Sequence, residues 1–230
     1  ISCGMFMNMV DSTIIGTSIP QIAESLGESP LRLNVAITSY LISLAVFIPV
    51  SGWIADRFGA RRVFCFALFV FTAASALCGL STTLWMMVAT RILQGFGGAL
   101  MNPVGRLILM RTFPKDQLLQ ALSFVSIPAL IGPTVGPILG GFLTDYVSWR
   151  WIFYINVPIG ILGIFGLVMF LHESRQNRRS FDFFGFAMLS LGIGALQMML
   201  DRGELKDWFG STEILIALAL AIAGFWIFLF

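Results

Sequence analysis

Long apolar runs separated by very short polar breaks dominate this chain. Dividing it at its charged residues leaves eight runs, near 1–24, 33–55, 62–81, 83–110, 118–144, 150–171, 182–201 and 212–230. A hydrocarbon core of about 30 Å requires about 20 apolar residues in each helix, whereas a membrane β-strand is much shorter. The pattern therefore predicts an all-α polytopic membrane protein with about eight spans. Breaks as short as Ser81-Thr82-Thr83 require neighbouring helices to be antiparallel.

The distribution of Lys and Arg predicts how these helices are oriented, because basic loops remain in the cytoplasm. The loops after the second, fourth and sixth runs contain Arg57, Arg61, Arg62, Arg111, Lys115, Arg175, Arg178 and Arg179. The loops after the first, fifth and seventh runs contain Arg32, Arg150, Arg202 and Lys206. The sequence therefore predicts a cytoplasmic N-terminus.

Composition supports the membrane assignment and excludes several classes of function. Apolar residues make up 57% of the 230 residues and charged residues 11%, where a soluble domain has about 25% charged residues. The net charge of +2 gives no reason to expect a nucleic-acid partner. With one histidine and no Cys/His or Ser/His/Asp set, the sequence predicts neither an enzyme nor a metal site. Both ends lie in apolar material, which indicates a piece of a longer membrane protein.

Polar residues inside the first and fourth runs are the strongest functional signal. The first run has four on one face, namely Asn8, Asp11, Ser12 and Ser18, and the fourth has a stripe of Arg91, Gln94, Gly98 and Asn102. An ionisable group near the bilayer midpoint, such as Asp11, costs at least about 2.5 kcal/mol. Asp11 is therefore either functional or a structural carboxylate that is hydrogen-bonded inside a bundle. For Arg91 the alternative is that its side chain snorkels to the membrane surface.

The break after the second run contains Gly52, Asp56, Arg57, Gly59, Arg61 and Arg62. It could be only a tight loop with cytoplasmic arginines. Asp56, however, ends a predicted helix, where the helix dipole disfavours a carboxylate. We therefore expect nearby arginines, or the N-terminus of another helix, to compensate Asp56.

The fifth run contains an unusual set of glycines and prolines, namely Gly132, Pro133, Gly136, Pro137, Gly140 and Gly141. Three of the glycines are spaced four apart, so they share one helix face and permit close approach of another helix. Each proline removes a backbone donor.

Together these motifs resemble the major facilitator superfamily. Gly52 to Arg62 resembles the family's loop between helices two and three, with Ala60 where a basic residue is common, and Arg91 to Gly95 resembles the helix-four motif of proton-coupled members. Gly132 to Gly141 resembles the antiporter motif of exporters. Three further segments resemble the fourteen-helix drug:proton antiporters of the EmrB/QacA type. They are Asp11 to Ile15 with Ile19-Pro20, Trp149 to Phe153, and Ile155 to Gly160.

The resemblance implies an N-terminal six-helix half at 1–171, a cytoplasmic basic loop at 172–181 and two further helices at 182–230. It implies alternating access between two halves, with Asp11 and Arg91 coupling protons to substrate and with Asn8, Ser12, Gln94 and Asn102 lining the cavity. It also implies that Asp56 helps to latch the inner gate against the second half, and we expect the glycine face of the fifth helix to pack across the two halves.

The function that follows is proton-coupled export of lipophilic drugs or other small toxic compounds from a bacterial cell, across its inner membrane. A proton gradient would drive it, and we expect no cofactor. The expected partners are the bilayer, a lipophilic or cationic substrate, protons and, in a Gram-negative cell, a periplasmic adaptor protein. Uptake by a transporter of the same family is the alternative, followed by a channel or a membrane scaffold that does not transport.

Overall fold

The computed structural model describes residues 1–171 and 181–229, and all regular elements in these ranges are helical. The helices are α1 (Ser2–Ile14), α2 (Ile19–Leu26), α3 (Pro30–Phe47), α4 (Ser51–Phe58), α5 (Ala60–Gly79), α6 (Leu84–Thr112), α7 (Lys115–Tyr146), α8 (Trp151–Tyr154), α9 (Asn156–Phe170), α10 (Phe183–Gly203) and α11 (Thr212–Leu229). Short 3₁₀ turns occupy Ile15–Ser18, Glu204–Lys206 and Trp208–Gly210. The all-α prediction is confirmed. The predicted loop at 172–181 falls almost entirely outside the described residues.

Six stretches of the described residues are long and apolar enough to cross a bilayer. They are Pro30–Phe47, Ala60–Gly79, Lys115–Tyr146, Trp151–Phe170, Phe183–Lys206 and Thr212–Leu229. The other two predicted spans are also helical, but the first is divided between α1 and α2. The other is the fourth predicted span, which is the 29-residue α6; polar residues such as Arg91 and Gln94 lower its mean hydropathy. These two segments contribute the charged pair described below.

Local sequence explains why the first run is not one continuous helix. The chain passes through a 3₁₀ turn and restarts at Ile19, with Pro20 in the first turn of α2, where a missing backbone N–H has no cost. Gly27 ends α2 in the left-handed conformation at φ +67°. Ser29 then caps α3 by accepting a hydrogen bond from the backbone N–H of Arg32.

A single residue turns the chain between α4 and α5. Gly59 has φ +93°, which side-chain-bearing residues rarely adopt, so the break after the second run is a one-residue turn. As a result, the cytoplasmic arginines of the sequence prediction lie on helix ends rather than in an extended loop.

The α5 and α6 helices form the centre of the bundle. Phe64, Leu68 and Phe71 of α5 are fully buried with Leu100 and Met101 of α6. The two helices approach closely at Gly97, where a Cβ atom would lie 2.8 Å from the backbone nitrogen of Phe71. On the other side α6 packs on α3, while α1 packs on α7 and α9.

The glycine stripe of α7 has its partner within this chain. A Cβ on Gly132 would lie 2.8 Å from Cβ of Met9, and one on Gly136 would collide with the Thr13 hydroxyl. A Cβ on Gly140 would collide with the hydroxyl of Thr17. The expectation that this face packs across the two halves is therefore wrong, because the small residues are needed for the contact between α1 and α7. Gly141 lies off the stripe, with nothing within 4 Å of its Cβ position.

The last two helices form a hairpin against α3. They approach closely where a Cβ on Gly224 would lie 2.6 Å from the backbone nitrogen of Gly192. Near the connecting turns, Glu213 pairs with Arg202 at 2.6 Å and with Lys206 at 3.3 Å. The hydroxyl of Thr38 in α3 donates a hydrogen bond to Asp201 of α10. The division of the chain into a six-helix half and two added helices remains a proposal.

Candidate functional site

A buried ion pair joins the two polar stripes that the sequence singles out. Asp11 lies in α1 and Arg91 in α6, and their side chains are 0% and 1% exposed. Nη1 of Arg91 donates to Oδ2 of Asp11 at 2.5 Å. The snorkelling alternative for Arg91 is therefore wrong, since its guanidinium group is held inside the bundle.

Side-chain amides complete the coordination of this pair. Gln94, one turn from Arg91, accepts a hydrogen bond from Nη1 of Arg91 and donates one to Oδ1 of Asp11, both at 2.9 Å. Asn156, at the start of α9, donates a further hydrogen bond to Oδ1 of Asp11 at 3.2 Å. Asp11 is thus held by three donors from two other helices, which offsets part of the cost of removing it from water.

A second layer of polar groups extends from Asn156 toward α5 and α8. Asn156 donates to the Ser75 hydroxyl at 3.0 Å, and Ser75 donates to the backbone carbonyl of Phe153 at 2.9 Å. Both Asn156 and Ser75 are buried. Sequence reasoning did not single out these two residues as part of the site. A usable signal existed, because Asn156 is a lone carboxamide among apolar residues.

Two aromatic rings enclose the guanidinium group. Cζ of Arg91 lies 5.0 Å from the ring centre of Tyr40 in α3 and 5.2 Å from that of Phe153 in α8. Such cation–π contacts are strongest where water is excluded. Tyr40 was also missed, because its position on α3 gives no sign of which neighbouring helix it faces.

The remaining cavity candidates divide into buried and exposed groups. Asn8 is buried, at 2% exposure, and its amide lies against Gly98 of α6. Ser12 is exposed and bonds only to the Met9 carbonyl of its own helix, while Asn102 is half-buried. Within the described part of the chain, the hydrogen bonds of the ion pair go to Gln94 and Asn156 and not to Ser12 or Asn102.

The motif around Asp56 forms a separate cluster at the far end of α4. Asp56 pairs with Arg111, at the end of α6, at 2.6 Å, and both side chains are partly exposed. This contact confirms that an arginine compensates the unfavourable end of α4.

The arginines that follow Asp56 have different partners. Arg57 lies 5.5 Å from the ring centre of Trp53, and Arg61 donates to the Val168 carbonyl of α9 at 2.7 Å. Arg57 and Arg62 line a cavity of about 950 Å³, together with Trp53, the residue after Gly52. Together with the Asp56–Arg111 pair, these contacts connect the ends of α4, α5, α6 and α9 at one end of the bundle.

An interrupted first helix, a buried Asp–Arg pair between α1 and α6, and a one-residue turn after α4 describe a helical membrane protein with charged groups held between its helices. The chain matches the Major Facilitator Superfamily over residues 1–230 and belongs to that family. The predicted family membership is thereby confirmed.

The chain is similar to curated relatives named "Putative multidrug resistance protein MdtD". It is 44% identical over 228 residues to the one from Serratia proteamaculans, covering 98% of this chain and 48% of that protein. It is 47% identical over 201 residues to the one from Cronobacter sakazakii, covering 87% and 43% respectively. The chain therefore spans about half the length of the curated relatives it matches.

Solved transporter structures share the fold. A D-xylose-proton symporter aligns with a TM-score of 0.65 at 15% identity, covering 97% of this chain and 64% of that chain. The transporter PepTSo aligns with a TM-score of 0.67 at 12% identity, covering 97% and 50% respectively. At these identities the likeness shows the fold alone.

Proposed function

We propose that this chain forms the N-terminal half of a proton-coupled exporter of lipophilic drugs or other small toxic compounds. The observation that carries the proposal is the fully buried Asp11–Arg91 pair, coordinated by Gln94 and Asn156. The name of the curated relatives supports the substrate class. The glycine and proline residues of α7, which resemble the motif of exporters, support the direction of transport.

The buried pair provides the coupling between protons and conformation. Asp11 and Arg91 join α1 and α6 through an ion pair from which water is excluded. Opening the cavity to one side or the other exposes this pair to water, so Asp11 can take up a proton on one side and release it on the other. Protonation removes the ionic attraction to Arg91 and weakens the contact between α1 and α6.

The exposed Ser12 and the half-buried Asn102 fit a cavity wall. They lie on the same two helices as the ion pair, but neither hydrogen-bonds to it. A lipophilic cation bound beside them would compete with the proton for the charge of Asp11. As the family resemblance implies, Asp56 would help to latch the inner gate against the second half; within this half it pairs with Arg111.

The proposed setting is the bacterial inner membrane with a cytoplasmic N-terminus. The excess of arginines at the end of the bundle near Asp56 supports this orientation. A periplasmic adaptor protein would be an additional partner in a Gram-negative cell.

The test is transport by a complete transporter carrying this half, reconstituted into vesicles with its cytoplasmic side outward. Because the cytoplasmic side faces outward, export moves the substrate into the vesicle. A fluorescent lipophilic cation should accumulate inside when the vesicle interior is made acidic, and accumulation should stop when the pH gradient is collapsed. Empty vesicles provide the control. Accumulation that instead requires protons to move with the cation, in the same direction, would identify an uptake transporter and contradict the proposal.

A further inference from the structure

Three buried polar atoms beside the ion pair have no hydrogen-bond partner. Within the described ranges, five buried side-chain nitrogen or oxygen atoms lack a partner. Three of them surround this site: Nδ2 of Asn8, the hydroxyl of Tyr40 and Nε of Arg91. An unsatisfied buried polar group is costly, so three of them at one site call for a partner that protein atoms do not supply.

Gly98 brings two of these atoms together. Its Cβ position would collide with Nδ2 of Asn8 and would lie 3.4 Å from the Tyr40 hydroxyl. Both atoms therefore lie close to one point beside α6, the Cβ position of Gly98. The third atom belongs to the guanidinium group that stacks on the Tyr40 ring.

The chemistry of these groups suits water. Asn8 and Arg91 supply N–H donors, and the Tyr40 hydroxyl both donates and accepts. Buried water typically makes about three hydrogen bonds to groups that are otherwise unsatisfied. Residues 8, 40 and 91 are each at most 2% exposed, so a larger polar ligand could not reach them without rearrangement of the bundle.

The position of these groups defines a direction. In α1, Asn8 lies one turn closer to the N-terminus than Asp11, and in α6 Gly98 lies one turn beyond Gln94. The two helices are antiparallel, since Gly105, further along α6, lies beside Met5 of α1. The unpaired atoms thus extend the polar cluster from Asp11 toward the end of the bundle that contains the N-terminus.

We propose that Asn8, Tyr40 and Nε of Arg91 bind internal water, through which Asp11 exchanges its proton with the side of the membrane where the N-terminus lies. The protonated carboxyl of Asp11 gives its proton to a neighbouring water, and that water passes one of its own protons onward to a water that the Tyr40 hydroxyl holds. One proton is displaced in total, and the Asp11 carboxylate remains beside Arg91. Asn8 and Tyr40 are positioning residues in this scheme, which rests on the proposed function.

Radiolytic hydroxyl labelling of the purified complete transporter tests the water site without any measurement of transport. Radicals formed from bound water label buried side chains that touch it. Tyr40 should be labelled well above Phe64, a fully buried ring in the apolar core. The Gly98→Ala variant, which displaces the Asn8 amide, should reduce the labelling of Tyr40. Gly105→Ala on the same helix crowds only apolar atoms, at 3.0–3.1 Å, and should leave it unchanged.

Transport by the Tyr40→Phe variant tests the proton route, because the variant keeps the ring that stacks on Arg91 and removes only the hydroxyl. Proton-driven efflux should fall by roughly fivefold, the factor for one net hydrogen bond, while substrate exchange at equal pH should stay within about twofold. A structural defect would slow both. Labelling of Tyr40 no higher than that of Phe64, or unchanged proton-driven efflux in Tyr40→Phe, would overturn the inference. If the unmodified transporter shows no proton-driven efflux, the proposed function fails instead, and the labelling still decides the water site.

Discussion

Replacing Asp11 by Asn is the most informative single perturbation of this chain. The two side chains have nearly the same shape, so the change removes the charge and leaves the packing of α1 in place. Arg91 then remains 1% exposed without its counter-ion. Removing one partner of a buried ion pair costs about 3–5 kcal/mol, because the other charge stays buried and unpaired. The Asn oxygen can still accept one hydrogen bond, so we expect a loss at the lower end, about 3 kcal/mol.

A double-mutant cycle separates stability from transport. The assay compares Asp11→Asn, Arg91→Gln and the double variant in the complete transporter, by unfolding in detergent and by proton-driven efflux from vesicles. Each single variant should be destabilised, and the double variant should lose less than the sum of the two, because neither charge is then left alone. Efflux should be absent wherever Asp11 is replaced, even in the double variant with recovered stability. Membrane insertion should be retained throughout.

Ser12→Ala is the matched control for this cycle. Ser12 is next to Asp11 but is exposed and bonds only to its own helix, so its loss should change stability by less than about 0.5 kcal/mol. Full proton-driven efflux in Asp11→Asn would refute the assignment of the proton site. Strictly additive losses in the cycle would refute the ion pair itself.

Further predictions concern the surrounding elements. Gly136→Leu should destabilise the packing of α7 on α1 by about 3 kcal/mol, measured by thermal unfolding. Gly141→Leu, with open space at its Cβ position, should leave the stability unchanged. Asp56→Asn should cost less than about 1 kcal/mol, because its pair with Arg111 is partly exposed, yet it should alter the rate of efflux because Asp56 is proposed to latch the gate against the second half; an unchanged rate would count against the gate. Asn156→Leu should lower the free energy of unfolding by about 1–3 kcal/mol, because the buried Asp11 carboxylate loses a hydrogen-bond donor; an unchanged free energy of unfolding would show that Asn156 has only a packing role. Residues 1–230 expressed alone should insert without conferring efflux, since they span about half the length of the relatives, and robust efflux would argue for a small homo-oligomeric exporter.

Which parts of the site were predictable follows from how each residue stands out in the sequence. Asp11 and Arg91 were found because a charge inside an apolar run has few explanations in a bilayer. Asn8 and Gln94 followed from helical spacing, and both are buried in the same cluster. Ser12 shares that spacing but is exposed, because a small hydroxyl can bond to its own helix wherever it faces.

The glycine stripe of α7 shows the limit of pattern reasoning more clearly. The four-residue spacing correctly predicted a close helix contact, but the sequence holds no information about which helix makes it. The structure places α1 there, with Met9, Val10 and Thr13 against the glycines. The partner depends on how the helices are arranged around each other, which is a property of the whole bundle.

The sequence by itself determined the membrane environment, the helical class, the family and the two charged residues at the centre. These properties follow from the cost of placing backbone and charged groups in hydrocarbon, which every segment experiences separately. Only the tertiary structure decided that Asp11 and Arg91 meet, that Gln94 and Asn156 satisfy the carboxylate, and that Tyr40 and Phe153 enclose the guanidinium group. Those contacts join residues between 51 and 145 positions apart in the chain, apart from neighbours on α6, so no local pattern encodes them. They exist because a buried charge is stable only where several helices bring their polar groups to the same point.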